Sequence, residues 1–236
     1  MKINDLVIIH GLNNSKESFY PLKRALTKLG FKVHLFYLAG HRRLNHGLDL
    51  HESVAYLEKQ FDGLKASSYY CLGFSQGGLT LELLPERIKK KIKKQVLLAP
   101  ALAIRRSFFL GTITKLLPAQ LPFLSLAPKD LSKFSWLSLA YFNLLFDQII
   151  QFQKNKPSKV KTLVMVDLKD ELIDVAALQS IVNNNKLNWE LELINRSPLP
   201  FIGIGQGHII FHPKYFSAAD WEKLTKRIAD FCVSGK

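Results

Sequence analysis

The serine in Gly73-Phe74-Ser75-Gln76-Gly77 is a residue whose setting could do chemistry. A serine hydroxyl is a poor nucleophile until a base takes its proton, so a reactive one needs a histidine and a carboxylate to orient that histidine. The G-x-S-x-G spacing meets a second need, exposure of the hydroxyl. Small residues on either side let the chain turn sharply from a strand into a helix, with the serine at the apex. The flanking sequence suits that turn: Tyr69–Cys71 reads as a strand leading in, and a helix begins near Gln76 and is ended by Pro85. Gly78 adds room for close approach. The chemistry implied is attack of the Ser75 oxygen on a carbonyl carbon.

Partners for Ser75 must come from elsewhere in the chain. Of the seven histidines, His208 follows Gly205 and Gly207, which suits a loop, while His212 lies four residues on and precedes Pro213. His34, His41, His46 and His51 read as satisfied or solvent-facing. Among the carboxylates, Asp167 sits near the end of a predicted strand, Asp170 lies beyond the following turn, and Asp174 is placed to cap a helix through Val182. Cys71 reads as a buried apolar thiol. Neither C-x-x-C nor H-E-x-x-H spacing occurs, and the Gly205–Gly207 loop lacks both a following Lys-Ser/Thr and G-x-G-x-x-G. No metal and no cofactor are therefore expected.

The elements that must position these residues follow from hydrophobic periodicity. Apolar runs at Asp5–Ile9, Lys32–Tyr37, Tyr69–Gly73, Gln95–Leu98, Thr162–Val166 and Trp189–Ile194 alternate with amphipathic stretches, the pattern of βα units and a parallel sheet of about six strands. Helices are expected from Ser15 to Leu29, His51 to Leu64, Gln76 to Leu84, Asp174 to Val182 and Asp220 to Val233. Between Leu98 and Thr162 the rhythm breaks, and the intervening residues are rich in aromatics and leucines and sparse in charge. That stretch reads as a helical, hydrophobic insertion packed over the domain.

Composition excludes several classes. The chain has 236 residues, 47% hydrophobic, with two cysteines, so disorder and a disulfide framework are both ruled out. The apolar run Leu6–Ile9 is too short for a secretory signal, and no stretch is long enough to span a membrane, so a cytoplasmic protein is expected. A formal charge of +14 suggests an anionic partner. Its densest run, Arg87 to Lys94, precedes the fourth strand and is therefore expected at the N-terminal edge of the sheet, away from Ser75. No nucleic-acid partner is expected. Arg42, Arg43, Arg105 and Arg106 are the cations placed near the pocket entrance; clustered there, they would favour transient contact with an anionic membrane surface or an acidic substrate group.

In these motifs the sequence resembles the α/β-hydrolase family, and within it the small carboxylesterases and monoacylglycerol lipases. His10-Gly11-Leu12 is similar to the family's HG oxyanion motif, Leu38-Ala39-Gly40-His41 to its L-P-G-H, and Leu98-Ala99-Pro100 to the strand end before the cap. Lys169–Asp174 resembles the segment of the triad acid and Gly207–Ile210 that of the triad histidine. The resemblance implies the triad Ser75, Asp170 and His208, in the family's order. It favours Asp170 over Asp167 and implies an oxyanion hole of the Leu12 and Gln76 N–H groups, with His10 supporting that loop. The α/β-hydrolase core would comprise residues 1–100 and 157–236, with the cap at 101–156. Phe108, Phe109, Trp136, Phe142 and Ile202 are expected to bind substrate, an ester with an apolar acyl chain such as a monoacylglycerol. A thioesterase or lysophospholipase with the same triad, or a hydrolase-fold binding protein without turnover, stay open. The sequence departs from the family at Gln76, where Met or Leu is common, and at Arg42-Arg43 after Gly40-His41; the Gln76 side chain is expected to alter the pocket.

Overall fold

In the computed structural model, residues 4–40, 49–105, 116–125, 128–185, 188–196 and 206–235 are described. Six strands form one parallel sheet: β1 (Asn4–Ile9), β2 (Phe31–Phe36), β3 (Tyr69–Phe74), β4 (Ile92–Leu98), β7 (Lys161–Asp167) and β8 (Trp189–Ile194). Their order across the sheet is β2-β1-β3-β4-β7-β8. Helices cover both faces, which is why the central strands are apolar almost throughout: β3 reads Tyr-Tyr-Cys-Leu-Gly-Phe and is buried at every position. The helices are α1 (Tyr20–Lys28), α2 (Leu50–Asp62), α3 (Gln76–Leu83), α4 (Glu86–Lys89), α5 (Leu139–Lys154), α6 (Val175–Asn184) and α7 (Ala218–Val233). One face carries α1 against α7; α3 and α2 pack with α5.

Polar caps set several helix starts. Asp49 accepts from the Glu52 N–H at the head of α2, Asp174 from the Ala177 N–H of α6, and Ser217 from the Asp220 N–H of α7. The helix expected from Ser15 begins later. Ser15 instead accepts from Ser18 N–H at a short 3-10 turn, Glu17–Phe19, and α1 follows with Pro21 in its first turn.

The insertion differs most from expectation, since it is not helical throughout. Pro122–Leu124 and Trp136–Ser138 form an antiparallel pair, β5 and β6, before α5 begins. Pro118, Pro122 and Pro128 explain the departure, because proline removes a helix hydrogen bond and is tolerated at strand edges. The helix α5 places Tyr141, Leu144, Leu145, Gln148, Ile149 and Phe152 on its buried side, at the three- and four-residue spacing of one face. Leu145, Phe146, Ile149 and Phe152 join the main core, so this part of the insertion is also structural support for α3.

The basic run sits where the topology requires, running from α4 into the first residues of β4. Arg87 is paired with Glu58 and Asp62, each at 2.8 Å, and Lys94 donates to the carbonyl groups of Phe231 and Ser234 at the end of α7. Among the described residues, no helix is long and apolar enough to cross a membrane.

The turn from β3 into α3 is the tightest junction. A Cβ at Gly77 would stand against the backbone carbonyls of Ile9 and His10, and one at Gly73 would lie 2.6 Å from the Gly78 Cα. Backbone cannot rotate aside as a side chain can. Gly77→Ala is expected to lower the unfolding free energy by about 3 kcal/mol, the upper end of overpacking costs, as read by urea denaturation.

Candidate active site

Ser75 occupies the apex of that junction with φ 51 and ψ −117, a backbone region that non-glycine residues rarely adopt. The strain is held by surrounding hydrogen bonds. The Ser75 N–H donates to the Leu98 carbonyl at 2.9 Å, and the Ser75 carbonyl accepts from Gly78, Leu79 and Ala101. The hydroxyl is thereby presented at the C-terminal edge of the sheet, where open α/β sheets bind ligands.

Three side chains meet there. Ser75 Oγ is 3.0 Å from His208 Nε2, and His208 Nδ1 is 2.9 Å from Asp170 Oδ2. Asp170 is fully buried and its other oxygen accepts from the Leu172 and Ile173 N–H groups, both at 2.9 Å. Burial opposes ionisation of Asp170. The imidazole beside it, its hydrogen bond and these two backbone donors outweigh that penalty and hold the carboxyl below the usual carboxylate range. An ionised Asp170 only accepts hydrogen bonds, so Nδ1 carries the imidazole proton and Nε2 presents a lone pair to the serine.

The histidine's backbone is fixed by a residue that sequence reasoning passed over. Glu171, next to Asp170, accepts from the N–H groups of Gly207 and His208, each at 3.1 Å. A second unforeseen group is Arg196. Its guanidinium pairs with Asp167 at 2.6 Å and donates to the carbonyls of Gln206, Gly207, Ile209 and Tyr215 at 2.7–3.1 Å. Asp167 is thus committed to Arg196 and to the Lys169 N–H, and Asp170 is the carboxylate that reaches the imidazole. His212 stays outside, its Nδ1 accepting from the Lys214 N–H. Beneath His208 lies the Phe74 ring, 5.0 Å away between centroids, itself packed on Phe211.

The loop after β1 forms the opposite wall. His10 is buried, its Nδ1 2.8 Å from the Gly11 carbonyl and its Nε2 accepting from the Leu38 N–H. Burial pushes its pKa down to about 4, so the ring is neutral and fixes the loop by one donor and one acceptor. Gln76 is the first residue of α3, so its N–H is outside the helix ladder. The Gln76 side chain, however, does not line the pocket. Its Nε2 donates to Gln148 Oε1 at 3.0 Å in a buried polar cluster with Thr80 between α3 and α5.

A cavity of about 140 Å³ opens onto Ser75 and His208. Leu12 and Phe142 line it, together with Ile104, Leu137, Leu145 and Phe146. Trp136 does not: it is 56% exposed, and Leu137 is the β6 residue that faces inward, because successive residues of a strand point to opposite sides. Phe108, Phe109 and Ile202 lie outside the described residues, as do Arg42, Arg43 and Arg106. Arg105, expected at the entrance, is occupied with the acid loop; it donates to the carbonyls of Asp170 and Ile173. Among the described residues no group of three or more His, Cys, Asp or Glu side chains could hold a metal ion.

A family model described as "alpha/beta hydrolase fold" matches residues 5–124. Against curated protein sequences no match is found. Solved structures share the fold at low identity. A monoacylglycerol lipase of Paleococcus ferrophilus is 20% identical, covering 97% of this chain and 93% of its own, with a TM-score of 0.73. A soluble variant of monoglyceride lipase from Saccharomyces cerevisiae, in complex with a substrate analogue, is 14% identical over 98% and 87%, with a TM-score of 0.75. A thioesterase domain from the curacin biosynthetic pathway is 14% identical over 99% and 92%, at 0.67.

Two predictions follow from the groups that hold the histidine and the β1 loop. Asp167 is buried and the Arg196 side chain largely so, and Arg196→Met should lower the unfolding free energy by about 3 kcal/mol by stranding the carboxylate. In a double-mutant cycle with Asp167→Leu, the combined loss should be clearly smaller than the sum; additive losses would show that the pair is not coupled. His10 titrates lower in the folded chain than in the unfolded one, so the native state binds fewer protons and stability falls as pH falls from about 6.5 to about 4. The loss amounts to about 3 kcal/mol over that window and should be largely absent in His10→Gln, compared by denaturation at each pH.

Proposed function

The chain belongs to the alpha/beta hydrolase fold family, and from that premise we propose that it is a serine hydrolase that cleaves carboxylic esters. The observation that carries this reading is the pair of contacts at 3.0 and 2.9 Å that link Ser75, His208 and Asp170. In the proposed first half-reaction, Ser75 Oγ attacks the ester carbonyl carbon as its proton passes to His208 Nε2. Asp170 stabilises the imidazolium that forms and keeps its orientation. The tetrahedral oxyanion is met by the N–H groups of Leu12 and Gln76, each donor contributing about 3–4 kcal/mol in comparable sites. Collapse breaks the bond to the leaving alcohol, which takes the proton from Nε2 and leaves an acyl-serine. Water then attacks the acyl carbon and gives a proton to Nε2, and the second collapse releases the carboxylic acid and restores the serine hydroxyl.

The substrate class follows from the cavity walls. Leu137, Phe142, Leu145 and Phe146 favour a hydrocarbon, since burying apolar surface contributes about 25 cal/mol per Å². An apolar cavity of about 150 Å³ takes one benzene, so the space beside Ser75 suits an acyl portion of about six carbons. Lipid-like esters such as monoacylglycerols are the proposed substrates, with residues 101–156 acting as the cap. Of the residues expected to bind substrate, Phe142 is the one among the described residues that lines this cavity.

The test is labelling by an active-site-directed fluorophosphonate, comparing the natural chain with Ser75→Ala. Labelling should be complete in the first and absent in the second; labelling that does not depend on Ser75 sinks the enzyme reading. With nitrophenyl esters of rising chain length, kcat/KM should increase from acetate to hexanoate. A preference for acetate would contradict the lipid-like pocket.

A further inference from the structure

Two adjacent asparagines on the loop after β1 have opposite fates. Asn13, at φ 58, is fully engaged with the insertion. Its Nδ2 donates to Ser125 Oγ at 2.6 Å and to the Phe134 carbonyl at 2.7 Å, its Oδ1 accepts from the Phe134 N–H at 3.0 Å, and its own carbonyl accepts from Lys133. Asn14 is held just as firmly through its backbone, which donates to the Gly11 carbonyl and bridges to Ser132. Its side chain is another matter. Asn14 is 3% exposed and lines the cavity beside Ser75 and His208, and its carboxamide has no hydrogen-bond partner among the described residues.

A buried amide left without a partner costs about 1–3 kcal/mol. Neither Asn14 amide atom is sealed from the cavity, so a ligand that fills it would cover both, and buried polar groups are satisfied in the great majority of cases. The surroundings sharpen the point: Leu12, Ala101, Ile104 and Pro128 are apolar, and Ser125, a polar neighbour, already accepts from Asn13. An unbranched hydrocarbon chain would leave the Asn14 amide unpaired in the complex as well. We propose that Asn14 is a specificity-determining residue, hydrogen-bonding a hydroxyl or carbonyl oxygen that the substrate carries close to its scissile ester. The inference rests on ester hydrolysis at Ser75 and adds a polar requirement to the apolar acyl wall. The oxygen can come from the acyl chain or from the alcohol.

The experiment compares Asn14→Leu, nearly equal in volume, with the natural chain in two substrate arms. The acyl arm pairs nitrophenyl butanoate with nitrophenyl β-hydroxybutanoate; the alcohol arm pairs propyl butanoate with glycerol monobutanoate. In one arm the ratio of kcat/KM, oxygenated over plain, should fall about tenfold on Asn14→Leu, the loss of one neutral hydrogen bond, and that arm identifies the source of the oxygen. Ratios unchanged in both arms overturn the proposal. Thermal unfolding supplies a readout besides activity. Asn14→Leu removes an unpaired amide and should melt no lower than the natural chain, whereas Asn13→Leu should melt lower. Equal destabilisation by both would make Asn14 a structural residue and overturn the assignment. Asn14→Ala repeats the ratio measurement with a smaller side chain. Fluorophosphonate labelling separates the two readings: without Ser75-dependent labelling the ester reading itself fails, and with labelling but unchanged ratios only the role of Asn14 does.

Discussion

The orientation of one imidazole governs the C-terminal edge of this sheet. His208 must direct a lone pair at Ser75, and a histidine on a loop has no helix or strand to hold it. The structure meets that constraint with two carboxylates in sequence and one arginine. Asp170 takes the ring through Nδ1, and Glu171 takes the backbone of the same residue. Arg196 gathers the carbonyls on both sides of the histidine around a single guanidinium, whose rigid fork of donors suits the task as a lysine ammonium would not. Arg105 performs a similar service for the acid loop, binding the carbonyls of Asp170 and Ile173. Buried charge is thus spread over neutral carbonyls as well as the Asp167 carboxylate.

The serine side of the site is built differently. There the constraint is steric, and glycine answers it. Ser75 can hold its strained backbone because Gly77 lets the carbonyls of Ile9 and His10 approach and Gly73 leaves space for Gly78. Such a requirement is local, and it was therefore readable in the sequence. The same holds for the six strands, whose apolar runs are long and clean, and for the cap at Asp174. Where the sequence misled, the deciding contact was distant or depended on register. Arg196 lies 29 residues from Asp167, and nothing in its neighbourhood marks it as a clamp. Trp136 and Leu137 are both large and apolar, and only the pairing of β5 with β6 decides which faces the cavity. Gln76 is next to the serine in sequence, yet its side chain points to α5, because Gln148 offers a buried partner there. Asn13 and Asn14 are chemically identical, and the fold alone separates them.

The insertion links these two halves to the substrate space. The residues around its strand pair and following helix do two jobs with different sides: α5 supports α3 through apolar packing, and Ser125, Lys133 and Phe134 fasten the β1 loop through Asn13. The wall of the cavity and the loop bearing the Leu12 N–H are thereby one connected piece. A change in the insertion reaches the loop after β1 through hydrogen bonds as well as through packing.

One consequence of the arginine clamp concerns how the site is aligned. Asp170, Glu171, Arg196 and His208 tie two loops into a single body anchored on β7 and β8, whereas Ser75 belongs to β3 and its helix. Between the bodies run the serine–histidine contact and the Phe74 ring beneath the imidazole. The segment after β4 joins them as well, since the Ser75 carbonyl accepts from the Ala101 N–H and the Ala103 carbonyl accepts from the Asp174 N–H. Alignment of serine and imidazole therefore depends on contacts between separate elements of the sheet edge, and not on any one element alone.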